Sequence, residues 1–320
     1  MKFNNNNDKP VLKSQMEACA QSLLEVMKTN PRVIVMTADL VGSCSLREIE
    51  KTFPGRLINV GVAEQNMVSI AAGLAHEGWI PFVYSFSVFT SLRACEQVRT
   101  DLFYNCMNVK VIGTHSGIST GQAGPTHFSL EDIGVIRSMP ESRIVVPSDA
   151  YAAKRIVNEM VEYVGPVYLR LDRNPLPVIY NEGDKLRIGS GKLLCSGGDV
   201  LIVAVGSMVS VALEAARIIE MKSSKKVSVI DMHTIKPIDH ELLTRCAEGC
   251  SNIITIEEHN IFGGLGSAVA EVVAEAGMGI KLTRFGIRDT YPQGAPVHKN
   301  LDGLGLCPEK MSDAIMRLLI

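Results

Sequence analysis

Short apolar, β-branched runs alternate with amphipathic stretches along the whole chain, and this alternation constrains the fold more than any other feature. In the first half, runs typical of strands cover residues 32–36, 57–60, 80–84, 109–113, 143–146 and 167–171, and helical patterns cover 14–28, 63–75, 87–104, 130–137 and 150–164. Strands that alternate with helices favour βαβ units and a mostly parallel sheet covered on both faces. The sequence therefore predicts an α/β fold.

A second series of the same kind follows a segment with turn chemistry, residues 174–190, which contains Asn174-Pro175 and Gly183-Asp184. Beyond it, the patterns predict strands at 200–205, 227–230, 253–256 and 282–285, and helices at 210–220, 239–247, 266–276 and 308–319. A chain of 320 residues has room for about two domains. We therefore expect two doubly wound, mostly parallel-sheet domains, residues 1–180 and residues 190–320.

Composition argues against several classes of function. The net charge of −2 provides no basic field for nucleic acid or an anionic membrane, and the apolar runs stop well short of a membrane span. The polar, Asn-rich residues 1–10 lack the apolar centre of a secretory signal, so we expect a frayed start and a cytoplasmic protein. The eight cysteines are scattered without a CxxC pair, which is typical of reduced thiols in that compartment.

The densest chemical signal is the string Gly-Val-Ala-Glu-Gln-Asn at residues 61–66, which follows a predicted strand and places Glu64 in the first turn of a helix. An isolated Glu there is commonly explained by the helix dipole, a contribution of about 0.3–1 kcal/mol. With Ala-Ala-Gly-Leu-Ala at 71–75, however, the string resembles the signature that transketolases share with 1-deoxyxylulose-5-phosphate synthases. A more distant resemblance is to beta subunits of 2-oxo acid dehydrogenases.

The resemblance implies thiamine diphosphate as cofactor and Glu64 as the catalytic carboxylate. In the family this Glu hydrogen-bonds to a nitrogen of the aminopyrimidine ring and favours its imino tautomer. The exocyclic nitrogen then acts as a base toward the thiazolium carbon, while the cofactor performs the carbanion chemistry. The family's aromatic pocket for this ring falls on Phe86 and Phe89, with Leu92 where a third aromatic residue is often found, and Asp39 is expected beside the cofactor.

The resemblance also implies substrate-binding residues. His115 is expected at the phosphate end of the sugar, His127 beside its hydroxyls, and Ser43 in a loop that helps hold the phosphate. Arg173 matches the family's phosphate-binding Arg, since a planar guanidinium suits a phosphate, and Arg170 is the competing choice.

Two positions depart from the family's pattern. Ala123 replaces an acidic residue that reads a sugar hydroxyl, and Met16 stands at the nearest position to a further expected Arg. These departures put the usual pentose and hexose phosphate specificity in doubt and imply a weaker grip on the phosphate.

The family's diphosphate and metal motif, Gly-Asp-Gly followed further along by Asn, has no match, since Gly183-Asp184-Lys185 and Gly198-Asp199-Val200 both lack the final Gly. The resemblance covers residues 11–320 but only the later two of the family's three domains. It therefore implies the pyrimidine-binding half of a split transketolase, active only with an N-terminal subunit that supplies the diphosphate and Mg²⁺ ligands. We expect a heterotetramer, self-dimerisation, and sugar phosphate substrates.

Three alternatives stay open at this point. The chain could belong to another thiamine diphosphate enzyme of the family, namely a deoxyxylulose phosphate synthase or a 2-oxo acid dehydrogenase beta subunit. It could be a non-catalytic partner subunit, or a nucleotide-binding protein, because residues 262–266 form a glycine-rich turn before a predicted helix. We interpret that turn as structural, and likewise the polar residues Asp231, Glu257, Glu258 and His259.

Overall fold

The computed structural model describes residues 10–319, so the prediction for the Asn-rich start largely lies outside the described residues. The strands are β1 (Leu12–Lys13), β2 (Val33–Thr37), β3 (Leu57–Asn59), β4 (Ile80–Phe86), β5 (Lys110–Thr114), β6 (Ile144–Val145), β7 (Val167–Arg170), β8 (Leu176–Pro177), β9 (Lys192–Cys195), β10 (Val200–Ala204), β11 (Val227–Asp231), β12 (Thr234–Lys236), β13 (Asn252–Asn260) and β14 (Lys281–Ile287). The helices are α1 (Gln15–Thr29), α2 (Arg47–Thr52), α3 (Glu64–His76), α4 (Cys95–Gln97), α5 (Asp132–Arg137), α6 (Ala150–Glu162), α7 (Met208–Lys222), α8 (His240–Ala247), α9 (Leu265–Glu275), α10 (Val297–Gly303) and α11 (Pro308–Leu318).

The first sheet has seven strands in the order β12-β6-β7-β5-β4-β2-β3. All neighbours are parallel except β12, which pairs antiparallel with β6 at the edge. The central strands are continuous apolar runs because helices cover both faces: α1 and α6 pack on one side and α3 on the other. These layers hold the carboxyl ends of β2, β3, β4, β5 and β7 at one edge.

The second sheet has five strands in the order β14-β13-β10-β11-β9, parallel except for the antiparallel edge strand β9. Helices α7 and α11 lie on one face, and α8 and α9 lie on the other. Each of the two apolar layers contains residues from both sheets. The expected α/β fold with two mostly parallel sheets is confirmed.

The segment between the sheets is packed more tightly than its turn chemistry predicts. Ile179, Tyr180 and Leu186 are buried, and the Tyr180 hydroxyl donates to Asp231 Oδ2 at 2.8 Å. Strand β12, which the sequence did not predict, comes from beyond this segment and completes the first sheet. The two sheets are therefore joined by shared packing as well as by the chain.

The predicted helix over 87–104 differs most from the structure. Strand β4 extends to Phe86, and the helix that follows consists of a π-helical turn at Phe89–Arg93, the short α4, and a second π-helical turn at Val98–Phe103. Wide π turns change which side chains share a face, and they are frequent beside functional sites. Here the first turn carries Phe89 and Arg93 to the carboxyl edge of the sheet.

Within residues 10–319 no helix is both long and apolar enough to cross a membrane. All eight cysteines are free thiols. Burial raises the pKa of Cys19 to about 12 and that of Cys44 to about 11, so these two thiols stay protonated.

Candidate active site

The carboxyl ends of the parallel strands bring the predicted site residues to one edge of the first sheet. The residues that follow each strand are Asp39 and Ser43 after β2, Glu64 after β3, Phe89 and Leu92 after β4, His115 and His127 after β5, and Arg173 after β7, while Phe86 ends β4 itself. Ligands of open α/β sheets bind outside this edge. The predicted residues therefore lie together at the carboxyl edge of the first sheet, but some of them are buried and others are exposed.

Glu64 is the first residue of α3, and only 2% of its surface is exposed. The Ser85 hydroxyl donates to Glu64 Oε1 at 3.2 Å, and Arg93 Nη1 donates to Oε2 at 2.9 Å. A buried carboxylate needs such partners, and because each of its oxygens can accept more than one hydrogen bond, Glu64 can still accept from a further donor. These two contacts hold the Glu64 carboxylate in a fixed orientation beside the end of β4.

Arg93 is a further candidate site residue, which the sequence patterns do not predict. Besides its contact with Glu64, its guanidinium lies 3.9 Å from the centroid of the Phe89 ring. The Arg93 side chain is 45% exposed, so it extends from the buried Glu64 carboxylate to the protein surface. On a regular helix over 87–104 an Arg is normally assigned to the solvated face, and only its place four residues after Phe89 could have indicated the contact.

Four rings form a cluster beside Glu64. Phe86 and Phe89 stack with centroids 5.6 Å apart, and the His115 ring stacks on Phe86 at 4.0 Å. The His127 ring meets Phe89 edge-on at 5.6 Å. Leu92, the third predicted member of the slot, is 39% exposed. The half-buried Phe rings provide flat apolar surface next to a carboxylate, which is what an aminopyrimidine requires.

The two histidines differ in environment. Burial, followed by the charges of Arg173 and His127, lowers the pKa of His115 to about 4, so its ring is neutral at pH 7. Its Nδ1 lies 3.0 Å from the Thr114 hydroxyl, which fixes the ring, and its backbone φ is +56°. His127 is half-buried, with Nδ1 at 2.9 Å from the Thr126 hydroxyl. Both imidazoles can exchange hydrogen bonds with hydroxyl groups.

The two candidate arginines are clearly distinguished. Arg173 is exposed at the site, with its Nη1 near the Thr120 carbonyl at 3.4 Å. Arg170 is buried and donates through Nε to Asp132 at 2.8 Å, so its guanidinium is committed to the protein interior. Only Arg173 is free to meet an anion from solvent.

The remaining predicted positions are at the surface or in the core. Ser43 and Asp39 are exposed in the loop after β2, where the Asp39 N–H donates to Asn59 Oδ1 at 2.9 Å. Ala123 is exposed in the loop after β5. Met16 is only 8% exposed and packs in the apolar core, so it does not mark a vacant phosphate contact on the site surface.

The glycine-rich turn of the second domain is structural. The N–H groups of Leu265 and Gly266 at the start of α9 both donate to the Glu257 carboxylate at 2.8 Å. A Cβ on Gly264 would lie 1.9 Å from Glu257 Oε2. The position where a nucleotide phosphate would bind a helix N-terminus is filled by the chain's own carboxylate.

The described residues include no cluster of three or more His, Cys, Asp or Glu that could hold a metal ion. Asp184, in the first of the two incomplete motifs, forms an ion pair with Lys192 at 2.5 Å. The buried Glu64 carboxylate and the stacked Phe86 and Phe89 rings fit the pyrimidine end of thiamine diphosphate.

Comparison with known proteins places this fold and site in a class. The model of the transketolase pyrimidine binding domain matches residues 13–178, and that of the transketolase C-terminal domain matches residues 189–311. The chain is therefore a two-domain α/β protein of the thiamine diphosphate-dependent class.

Individual relatives narrow this class. The chain is 39% identical over 308 residues to a putative transketolase C-terminal section of Methanocaldococcus jannaschii, covering 96% of each protein. It is 39% identical over 269 residues to a 6-deoxy-6-sulfo-D-fructose transketolase subunit of a Clostridium species, covering 84% of this chain and 83% of that subunit. A solved split-gene transketolase, described as an inactive beta4 tetramer, aligns with a TM-score of 0.88 at 38% identity over 95% of this chain and 97% of that one. The chain belongs to the transketolase family and corresponds to the C-terminal section of its split members.

Proposed function

We propose that this chain, together with a separate N-terminal subunit, transfers a two-carbon ketol unit from a ketose phosphate to an aldose phosphate. The observation that carries the proposal is the buried Glu64 carboxylate beside the stacked Phe86 and Phe89 rings, on the same sheet edge as His115 and Arg173. Residues 1–180 would form the cofactor half and residues 190–320 the C-terminal domain. A non-catalytic subunit would have no need to keep this set together.

The site residues have separate tasks in this proposal. Thiamine diphosphate, when bound, supplies the nucleophilic carbon that carries the ketol unit. Glu64 accepts a hydrogen bond from the pyrimidine ring and shares its proton, while Ser85 keeps the carboxylate in place. Phe86 and Phe89 hold the ring by stacking and exclude water from it, and Asp39 lies at the rim.

Substrate recognition falls to the other residues of the edge. Arg173 binds the terminal anion of the sugar, helped by Ser43, and the imidazoles of His115 and His127 hydrogen-bond its oxygens. Ala123 offers no carboxylate to read a hydroxyl, so we do not carry the usual pentose and hexose phosphate specificity over to this chain. The Clostridium relative is named for a sulfonated sugar, which suggests a terminal anion as the shared substrate feature.

A partner subunit is supported by the apolar surface around Glu64. Val62, Ile70 and Leu92 are exposed by 75%, 37% and 39%. Exposed apolar side chains grouped beside a site are typical of an interface. We propose that the partner covers them, brings the diphosphate and Mg²⁺ ligands, and forms a heterotetramer with two copies of each chain. The free cysteines are compatible with a reaction in the cytoplasm.

The test is reconstitution with the partner subunit and Mg²⁺, measured as two-carbon transfer between sugar phosphates. Arg173→Ala should raise KM at least tenfold for phosphorylated sugars and little for unphosphorylated ones, because a hydrogen bond to a charged group is worth about 1.5–3 kcal/mol. Absence of transfer by the wild-type complex with any sugar phosphate contradicts the proposed reaction. An equal effect of Arg173→Ala on both sugar classes contradicts the role of Arg173.

A further inference from the structure

The loop between β5 and α5, residues 115–131, carries both site histidines and is here called the substrate loop. It is hydrogen-bonded to β13 of the C-terminal domain at two points. The Ile118 N–H donates to Glu258 Oε1 at 2.7 Å, and the Asn260 N–H donates to the Leu130 carbonyl at 2.9 Å. The loop is thus attached to the second domain near both of its ends.

Glu258 is a buried partner of this loop rather than a surface charge. It is almost fully buried, and its other oxygen accepts from the Ser207 hydroxyl at 2.7 Å. Arg170 adds a link, because its Nη2 donates to the carbonyls of both Ser129 and Glu258 at 3.1 Å. These contacts leave Glu258 little freedom to move, so the bond to Ile118 fixes the start of the loop.

Glycines bring the two domains into contact too close for side chains. A Cβ on Gly117 would lie 2.2 Å from Glu258 Oε1. A Cβ on Gly294 would lie 2.9 Å from the Gln122 carbonyl oxygen and 3.4 Å from Gly124 Cα. Backbone atoms cannot move aside like a flexible side chain, so a side chain at Gly294 must shift the substrate loop and the segment that carries Gly294 relative to each other.

The middle of the substrate loop rests on the residues just before and at the start of α10. A Cβ on Gly121 would lie 3.3 Å from the Ala295 carbonyl oxygen and 3.5 Å from Val297 Cγ2. Helix α10 packs against the 3₁₀ turn Gly121–Ala123. His127 follows this turn, and its N–H donates to the Gly124 carbonyl at 2.9 Å, so the position of His127 depends on that of the turn.

We propose that the C-terminal domain is a positioning element for substrate recognition, in which Glu258, Gly294 and Val297 set the conformation of the substrate loop and hence the places of His115 and His127. The inference rests on the proposed function, since it takes the loop to meet the sugar. None of the three residues reaches Glu64 or Arg93, which lie on α3 and the π-helical turn. Disturbing them should therefore affect the handling of substrate more than that of cofactor, because His115 and His127 touch the cofactor pocket only through the Phe86 and Phe89 rings.

The test compares Gly294→Ala, which pushes the loop, and Val297→Ala, which removes its support, with Gly303→Ala. Gly303 is the matched control because it lies in the same domain, its Cβ would meet nothing within 4 Å, and its backbone suits any residue. In the reconstituted complex, both loop variants should raise KM for the sugar phosphate about tenfold, since small misplacements of binding groups are costly. Exchange of the cofactor's thiazolium proton should change much less than KM.

A second readout does not depend on activity. In the full-length chain alone, amide hydrogen exchange of residues 118–128 should be faster in Gly294→Ala and Val297→Ala than in the wild type and in Gly303→Ala. Unchanged amide hydrogen exchange of residues 118–128 in both variants overturns the proposal. An equal loss of substrate affinity and of thiazolium proton exchange in the reconstituted complex also overturns it. If the wild-type complex transfers no ketol unit, the proposed function fails, while the amide exchange still decides whether the C-terminal domain holds the loop.

Discussion

At the scale of single residues, Glu64 combines burial with two donors and a neighbouring aromatic pair. We expect Glu64→Gln to reduce turnover by several powers of ten, each worth about 1.4 kcal/mol, because an amide cannot share a proton with the pyrimidine ring. The shape of the side chain is kept, so the circular dichroism spectrum should match the wild type. Exchange of the thiazolium proton should slow in parallel. Near-normal exchange and turnover would show that Glu64 is not the catalytic carboxylate.

Arg93 offers a test of how the carboxylate is held. Arg93→Met keeps an unbranched stem over Phe89 but removes the charge, so the free energy of unfolding should fall by about 1 kcal/mol, with solvent screening keeping the value small. The same change in a Glu64→Gln background should cost much less, since the ion pair is then absent. The measurement is a double-mutant cycle by urea unfolding. Equal costs in the two backgrounds would mean that Arg93 acts through Phe89 alone.

The sequence allowed Glu64, Phe86 and Phe89 to be predicted because they lie in strings that mark a strand end or resemble a family signature. Arg93 could not be predicted in this way. Its spacing of four residues from Phe89 indicates only the ring contact, whereas its approach to Glu64 involves a π-helical turn that no periodicity in the sequence signals. Arg170 and Arg173 were both candidates until the structure showed which one is committed to Asp132.

At the scale of elements, the end of β7 and the end of β13 place two carboxyl groups in one buried region. Burial, and then the charge of Glu258, raises the pKa of Asp172 to about 7 from its ordinary value of 3.8, although the Asn174 N–H donates to it and Arg170 lies nearby. The folded chain therefore binds more protons than the unfolded chain between these values. The stabilising contribution is complete below about pH 4 and is lost as the pH rises through about 7.

Asp172→Asn should weaken this pH dependence, because the amide stays neutral throughout. Urea unfolding at several values between pH 5 and pH 8 measures it: the free energy of unfolding of the wild type should fall more steeply with rising pH than that of the variant. Parallel curves for the two proteins would show that Asp172 is already ionised in the folded state at the lower pH.

Strands buried on both faces were among the elements that the sequence alone could identify. Strands β2, β5 and β10 are continuous apolar runs, and they were predicted close to their observed bounds. Strand β12 has three residues, and its partner β6 lies far away in the chain, so its pairing depends on how the domains pack. Helix α10 is short and has no fully buried residue, so it lacks the apolar stripe that reveals a surface helix.

At the scale of the whole molecule, the apolar patch formed by Val62, Ile70 and Leu92 should promote self-association of the isolated chain. Light scattering should therefore give a mass above the 34.8 kDa of one chain. Val62→Asp should lower that mass, whereas Val164→Asp should not. Val164 is a matched control because it is exposed by 79%, like Val62 by 75%, but lies just before β7, away from the carboxyl edge. Equal behaviour of the two variants would place the association elsewhere.

The isolated chain should also bind thiamine diphosphate weakly and show no turnover. Its described residues supply the carboxylate and the two stacked rings for the pyrimidine, whereas a diphosphate with its metal needs hard oxygen ligands that we assign to the partner. Two weak half-sites gain affinity only when one assembly holds them together, since the second contact then forms at a high effective concentration. Calorimetric titration of cofactor and Mg²⁺ should accordingly show tight, metal-dependent binding only after the partner subunit is added. The mass of the complex should then equal two copies of each chain, as the proposed two-fold heterotetramer requires. Tight, Mg²⁺-dependent binding and turnover by this chain alone would contradict the split-site proposal and require a diphosphate site within the chain itself.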